Sequence, residues 1–219
     1  MRELYIKDLE SFANKLAEQA AAVNEQVHKS IKAFNEVDGN VAQVLEQEDK
    51  QINQLANDIE KEAYRLIALQ QPVAEDLRLI FSVLNISVDL ERIGDHAVLI
   101  AKNISRADEN TDKVEALAKI INNMADVAVE MLGEVMDAFA MRDQEKAIQI
   151  SEKDEIIDAG LKELYHQSSA RMETDTEIIG SGINYLGVGN SIERIGDYVT
   201  NICERIIYLN EAEIVELNQ

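Results

Sequence analysis

Apolar residues at Leu9, Phe12, Leu16, Val23, Val27, Ile31 and Phe34 recur in steps of three and four, with one turn skipped near Ala20. This spacing matches one face of a helix with about 3.6 residues per turn, and it predicts a long first helix that ends near Val37-Asp38-Gly39. A second stripe, Val41, Leu45, Ile52, Leu55, Ile59, Ala63 and Leu66, stops before Gln71-Pro72. Proline sits well at a helix start and badly inside one, so a third helix should begin there. From Val83 the series Ile86, Leu90, Ile93, Ala97, Ile100 and Ile104 continues until the polar stretch 105–113.

The second half then repeats the first, and self-similarity of this kind can decide an architecture. Ala33-Phe34 with Asp38, Ala42 and Asp49 recur 105 residues later as Ala138-Phe139 with Asp143, Ala147 and Asp154. Glu91-Arg92-Ile93-Gly94-Asp95 recurs at an offset of 102 as Glu193-Arg194-Ile195-Gly196-Asp197. The missing residues fall between the second and third helices of the second copy, where a loop tolerates them. The expected fold is all-α: six helices in two tandem repeats of a three-helix up-down bundle, residues 1–105 and 112–219. Gly180, Gly182, Gly187 and Gly189 near the start of the sixth helix imply either close backbone approach or a frayed, loop-like start.

Composition narrows the function. With 42 acidic and 21 basic residues the formal net charge is −21, which argues against nucleic acid as a partner, because phosphate contacts need clustered Lys and Arg. A single cysteine, Cys203, excludes an internal disulfide. The first residues carry no apolar signal core, so the expected location is cytoplasmic. No apolar run is long enough to span a bilayer, and an acidic surface is repelled by anionic lipid, so any membrane contact should be indirect, through proteins.

The repeated ERIGD string carries the candidate chemistry. Glu91 and Asp95 are four residues apart and project from one helix face, as do Glu193 and Asp197. Like charges at that spacing repel unless something neutralises them. An arginine one position on points about 100° away around the helix, which leaves it a poor partner for both carboxylates and favours a bound cation. The second helix of each repeat adds its own pair, Asp49 with Asn53 and Asp154 with Asp158. These oxygen donors suit divalent or trivalent ions such as iron, manganese, magnesium or zinc. The plain alternative is a solvated acidic face. A rival metal reading uses Glu25/His28 and Glu163/His166, but these strings fall at non-equivalent repeat positions. No phosphate-cradling glycine loop or nucleophile–base arrangement is visible, so an enzyme is not expected.

Gln71-Pro72-Val73-Ala74-Glu75-Asp76-Leu77-Arg78 followed by ERIGD, with a second ERIGD near the end, resembles the PhoU family over essentially the whole chain. The resemblance implies two tandem three-helix bundles, a homodimer, and negative regulation of the phosphate-starvation response together with control of phosphate uptake. It implies as partners the phosphate-transporter ATPase PstB and a PhoR-type sensor histidine kinase. It also implies metal clusters held by E/D-xxx-D motifs, which match here at Glu91/Asp95, Asp154/Asp158 and Glu193/Asp197, with Asn53 departing from the pattern beside Asp49. The competing class is a metal-dependent carboxylate-bundle enzyme or a metal-storage protein.

Overall fold

The computed structural model describes residues 2–105 and 114–217; most of the polar stretch expected between the repeats, and the boundary at Asp112, lie outside them. The described residues form seven α-helices and no strand. They are α1 (Arg2–Glu36), α2 (Val41–Gln70), α3 (Ala74–Ser105), α4 (Glu115–Met141), α5 (Gln144–Glu152), α6 (Asp154–Thr174) and α7 (Ile179–Glu211), with a single 3-10 turn at Thr176–Ile178. No helix among the described residues is long and apolar enough to cross a membrane.

The stripes read from the sequence are the core. Phe12, Leu16 and Val23 of α1, Ile52, Ile59 and Leu66 of α2, and Ile86, Leu90 and Ile93 of α3 are buried together, and Leu45 packs in a smaller cluster with Val98 and Ala101. Each fully buried Leu or Ile contributes about 1.5–3 kcal/mol of transfer free energy. The skipped turn near Ala20 is also inside: Gln19 is fully buried, its Nε2 donating to the Ser87 carbonyl at 2.9 Å and its Oε1 accepting from Ser87 Oγ at 2.7 Å.

The repeated Ala-Phe…Asp motif has a local cause. α1 and α4 both end with a residue in the left-handed region, Val37 (φ 56°) and Arg142 (φ 52°). The next amide closes back on the helix, Asp38 N–H to Ala33 O at 3.0 Å and Asp143 N–H to Ala138 O at 2.9 Å, the pattern of a Schellman ending. Each aspartate then accepts from the chain ahead: Asp38 Oδ1 from the Asn40 amide and Asp143 Oδ1 from the Lys146 amide, both at 3.0 Å. One aspartate per repeat thus ends a helix and orients the next.

The expected six helices become seven because the second helix of the second repeat divides at Lys153. Around that residue the amide bonds tighten to three-residue steps, Lys153 N–H to Ile150 O at 3.1 Å and Ile156 N–H to Lys153 O at 3.0 Å. Its ammonium group is held by Glu130 and Glu134 of α4 at 2.8 and 2.7 Å. The same position in the first repeat is Glu48, which accepts Lys29 of α1 at 2.6 Å within an unbroken α2. The two repeats therefore tie their first helix to their second with the same ion pair in opposite polarity.

The repeats join through α3 and α7, the most extensive helix contact in the protein. Arg92 lies over the Tyr198 ring at 5.6 Å, His96 packs on the same ring at 5.8 Å, and Asn103 lies against Gly187. Partners further along α3 meet residues earlier on α7, so the helices are antiparallel and the two ERIGD strings lie side by side. Of the four glycines near the start of α7, Gly182, Gly187 and Gly189 sit where a Cβ would press on Met172, Asn103 and Leu164, whereas Gly180 has open space. Close approach therefore accounts for three of them, and the helix is continuous from Ile179 rather than loop-like at its start.

Candidate metal centre

Glu91, Gly94 and Asp95 share one face of α3, since steps of three and four return to the same side of a helix. Asp49 of α2 reaches that face. An ideal Cβ on Gly94 would lie 3.4 Å from Asp49 Oδ1 and 2.9 Å from Gln26 Oε1. The second repeat is tighter, because a Cβ on Gly196 would fall on Asp154 Oδ1 and lie 2.9 Å from Ile157 Cδ1. The glycine inside each ERIGD string is therefore what admits the carboxylate from the neighbouring helix.

In the second repeat Asp154 is buried, and Thr200 Oγ1 reaches its Oδ2 at 3.4 Å. Burial, reinforced by the charges of Asp197, Asp158 and Glu193, pushes its carboxyl up to about 7. Glu193 is raised by burial and then by Asp197. Asp197 is raised by burial against the opposing pull of Arg194. In the first repeat Glu91 and Asp49 are both raised, each by burial first and by Asp95 next. Asn53 Nδ2 donates to Asp49 Oδ2 at 3.0 Å, and this bond, the Gln26 amide and Lys102 moderate the shift of Asp49. Glu91 is half-buried and Asp95 exposed.

The expectation that the ERIGD arginine cannot serve both carboxylates fails in the second repeat and holds in the first. Arg194 does engage both of its carboxylates, with Nη1 on Asp197 Oδ2 at 3.0 Å and Nε on Glu193 Oε2 at 3.6 Å. A long side chain folds back across the arc that the backbone direction alone suggested it could not span. Arg92, in the identical string, turns instead onto Tyr198. The carboxylates gather but do not close. Among the described residues, no three His, Cys, Asp or Glu side chains stand as a ready metal-holding group.

The donor set nevertheless fits a hard cation. Asp49 Oδ1, Asn53 Oδ1 and Asp154 Oδ1 are buried acceptors without a hydrogen-bond partner. An orphaned buried acceptor costs about 1–3 kcal/mol, and a cation beside each of these carboxylate groups would satisfy it. Asp49, Asn53, Glu91 and Asp95 would hold it in the first repeat, and Asp154, Asp158, Glu193 and Asp197 in the second. The rival strings are not assembled: Glu25 pairs with Lys29 at 2.9 Å, Glu163 accepts from Gln167 at 2.6 Å, and His28 and His166 are exposed. Sequence reading missed Thr200, three residues past Asp197, and Gln26, an amide set between the apolar Val23 and Val27. A polar residue inside an apolar stripe was the available signal for Gln26.

Two like helical bundles in one chain, each bringing carboxylates of neighbouring helices over a glycine, define a class: a duplicated all-α protein with a candidate metal centre per repeat. The PhoU domain matches twice, over residues 16–104 and 121–206. The chain is 36% identical over 218 residues to the phosphate-specific transport system accessory protein PhoU homolog of Clostridium acetobutylicum, covering 99% of each. The corresponding protein of Pseudomonas aeruginosa is 32% identical over 202 residues, 92% of this chain and 83% of that one. Among crystal structures, PhoU from Pseudomonas aeruginosa superposes with a TM-score of 0.91 at 31% identity, covering 95% of this chain and 100% of that one. The phosphate transport system regulatory protein PhoU from Streptococcus pneumoniae gives 0.87 at 32%, covering 97% and 99%. The chain belongs to the PhoU family.

Proposed function

We propose that this protein is a regulatory accessory protein of a phosphate-transport system that restrains the phosphate-starvation response and modulates phosphate uptake. The observation that carries this reading is the end-to-end match to relatives named phosphate-specific transport system accessory proteins. It acts by binding, as a metal-bearing cytoplasmic adaptor between the transporter ATPase PstB and a PhoR-type histidine kinase, and it works as a homodimer. The duplication supports an adaptor: two related bundles offer two related faces, and linking two weak contacts raises avidity through effective concentration. A net charge of −21 favours basic patches on the partners, with association that slows as ionic strength rises.

A divalent or trivalent cation, when bound, would supply positive charge that holds the acidic faces of neighbouring helices together. The residues do the rest: Gly94 and Gly196 admit the second-helix carboxylates, while Arg194 and Thr200 orient those of the second repeat. The test is affinity purification of the tagged protein from phosphate-replete cells, with mass spectrometry of what is retained. Recovery of the transporter ATPase and the kinase, reduced in Asp95→Asn/Asp197→Asn protein, supports the adaptor. Recovery of neither, by a protein that turns over a small substrate in a metal-dependent way, supports the enzyme class instead.

A further inference from the structure

The two candidate centres occupy equivalent places in the repeats, yet their surroundings are not equivalent. Gln26 of α1 is 1% exposed, and its Nε2 donates to the Leu45 carbonyl at 3.1 Å. A carbonyl can accept only from the amide nitrogen, so this bond fixes which way the side chain faces. Its Oε1 is thereby placed against Gly94 close to Asp49 Oδ1 and has no hydrogen-bond partner, while the amide nitrogen helps to hold the Asp49 carboxyl down. A buried, unpartnered amide oxygen beside a carboxylate calls for a cation or a donor between them. The equivalent position in the second repeat is Met131, fully buried and without a hard oxygen.

Charge differs as well. The groove beside the first centre is lined by Lys50 and Lys102, the latter paired with Glu46 at 2.8 Å, in addition to Asp49, Asn53 and Asp95. The second repeat has Glu155 and Glu204 at the positions of those two lysines, and Asp158 at that of Asn53. The first centre is thus poorer in negative charge and richer in neutral oxygen.

We infer that the first centre is a three-helix site to which Gln26 supplies a neutral oxygen ligand, and that it binds its cation more weakly than the four-carboxylate site of the second repeat. This rests on the metal-binding part of the proposed function. The first repeat then compensates for a missing carboxylate at Asn53 with an amide from a helix that the second repeat does not use. Such inequivalence lets one chain keep one cation permanently while exchanging the other as its concentration changes.

The test uses Mn²⁺ titration of the full-length, metal-stripped protein by electron paramagnetic resonance. Asp197→Asn leaves the first site and Asp95→Asn leaves the second. The first is expected to bind at least about tenfold more weakly, since each 1.4 kcal/mol is about tenfold in affinity. Adding Gln26→Met to Asp197→Asn should weaken the first site at least about fivefold, while the same change in Asp95→Asn protein leaves the second site unaltered. Because Gln26→Met also frees the Leu45 carbonyl, a second readout uses the intact side chain. Substoichiometric Mn²⁺ added to Asp197→Asn protein should broaden the Gln26 side-chain amide resonance and spare that of Gln19. Unchanged first-site affinity in the Gln26→Met background, or an unbroadened Gln26 resonance at saturation, overturns the inference alone. Absence of Mn²⁺ binding in both single-site proteins overturns the metal reading and the inference together.

Discussion

Replacing Gly196 with alanine tests the packing that creates the second centre. In an open helix position Gly→Ala gains about 1 kcal/mol of propensity, and Gly133 of α4, with nothing within 4 Å of a built Cβ, should show that gain. At Gly196 the same Cβ falls on Asp154 Oδ1 and lies 2.9 Å from Ile157 Cδ1. Ile157 Cδ1 is the mobile end of a side chain and can move aside. Asp154 is buried, and displacing it means overpacking, which costs about 1–3 kcal/mol. The two alanine variants should therefore differ by about 1–3 kcal/mol, with Gly133→Ala the more stable. For a chain of this length each kcal/mol shifts the melting temperature by roughly 2–4 °C. Urea and thermal melts in the presence of a chelator measure both. A double-mutant cycle adds a sign test: in an Asp154→Ala background, which removes the obstructing oxygen, Gly196→Ala should stabilise. A Gly196→Ala protein as stabilised as Gly133→Ala, or destabilised equally with and without Asp154, would refute the packing argument.

Other outcomes follow from the same geometry. Asp154 titrates near 7 in the folded chain against 3.8 for an ordinary aspartate, so the folded state holds its proton more tightly. Stability of chelator-treated protein should therefore fall as pH rises from about 4 to about 7 and level off above, and Asp154→Asn should flatten that slope in pH-dependent melts. Asp95→Asn and Asp197→Asn should each remove metal from their own repeat alone, read by elemental analysis of the purified proteins, with the double variant emptied. Gln19→Ala leaves Ser87 without its side-chain partner and should cost about 1–3 kcal/mol in urea titration. Swapping the polarity of the first-repeat ion pair, Lys29→Glu with Glu48→Lys, should preserve the melting temperature within about 2 °C, because Glu134 and Lys153 already form the reversed pair.

The helices and their duplication are legible because stripes such as Val83 to Ile104 obey a single period and because whole motifs recurring at offsets of 105 and 102 are unlikely by chance. The division of α5 from α6 was not legible. Lys153 is an ordinary helix former, and what tightens the backbone there accompanies two glutamates on another helix. Spacing alone marks the eight candidate residues, and the structure groups them by repeat. Their electrostatics were not readable: identical ERIGD strings send Arg194 to its own carboxylates and Arg92 to a ring, because Tyr198 faces Arg92 across the α3–α7 contact. Gln19 and Gln26 interrupt a periodic apolar stripe, and periodicity alone does not reveal that an amide there is buried. Both prove to be buried and bonded across helices.

The most direct test of the proposed role is the expression of phosphate-starvation genes in phosphate-rich medium after deletion of this gene, with a chromosomal copy restored as wild type or as Asp95→Asn/Asp197→Asn. Deletion should switch those genes on, wild type should silence them again, and the metal-centre variant should silence them only in part. Continued repression in the deletion strain, with phosphate uptake unchanged, would contradict the assignment.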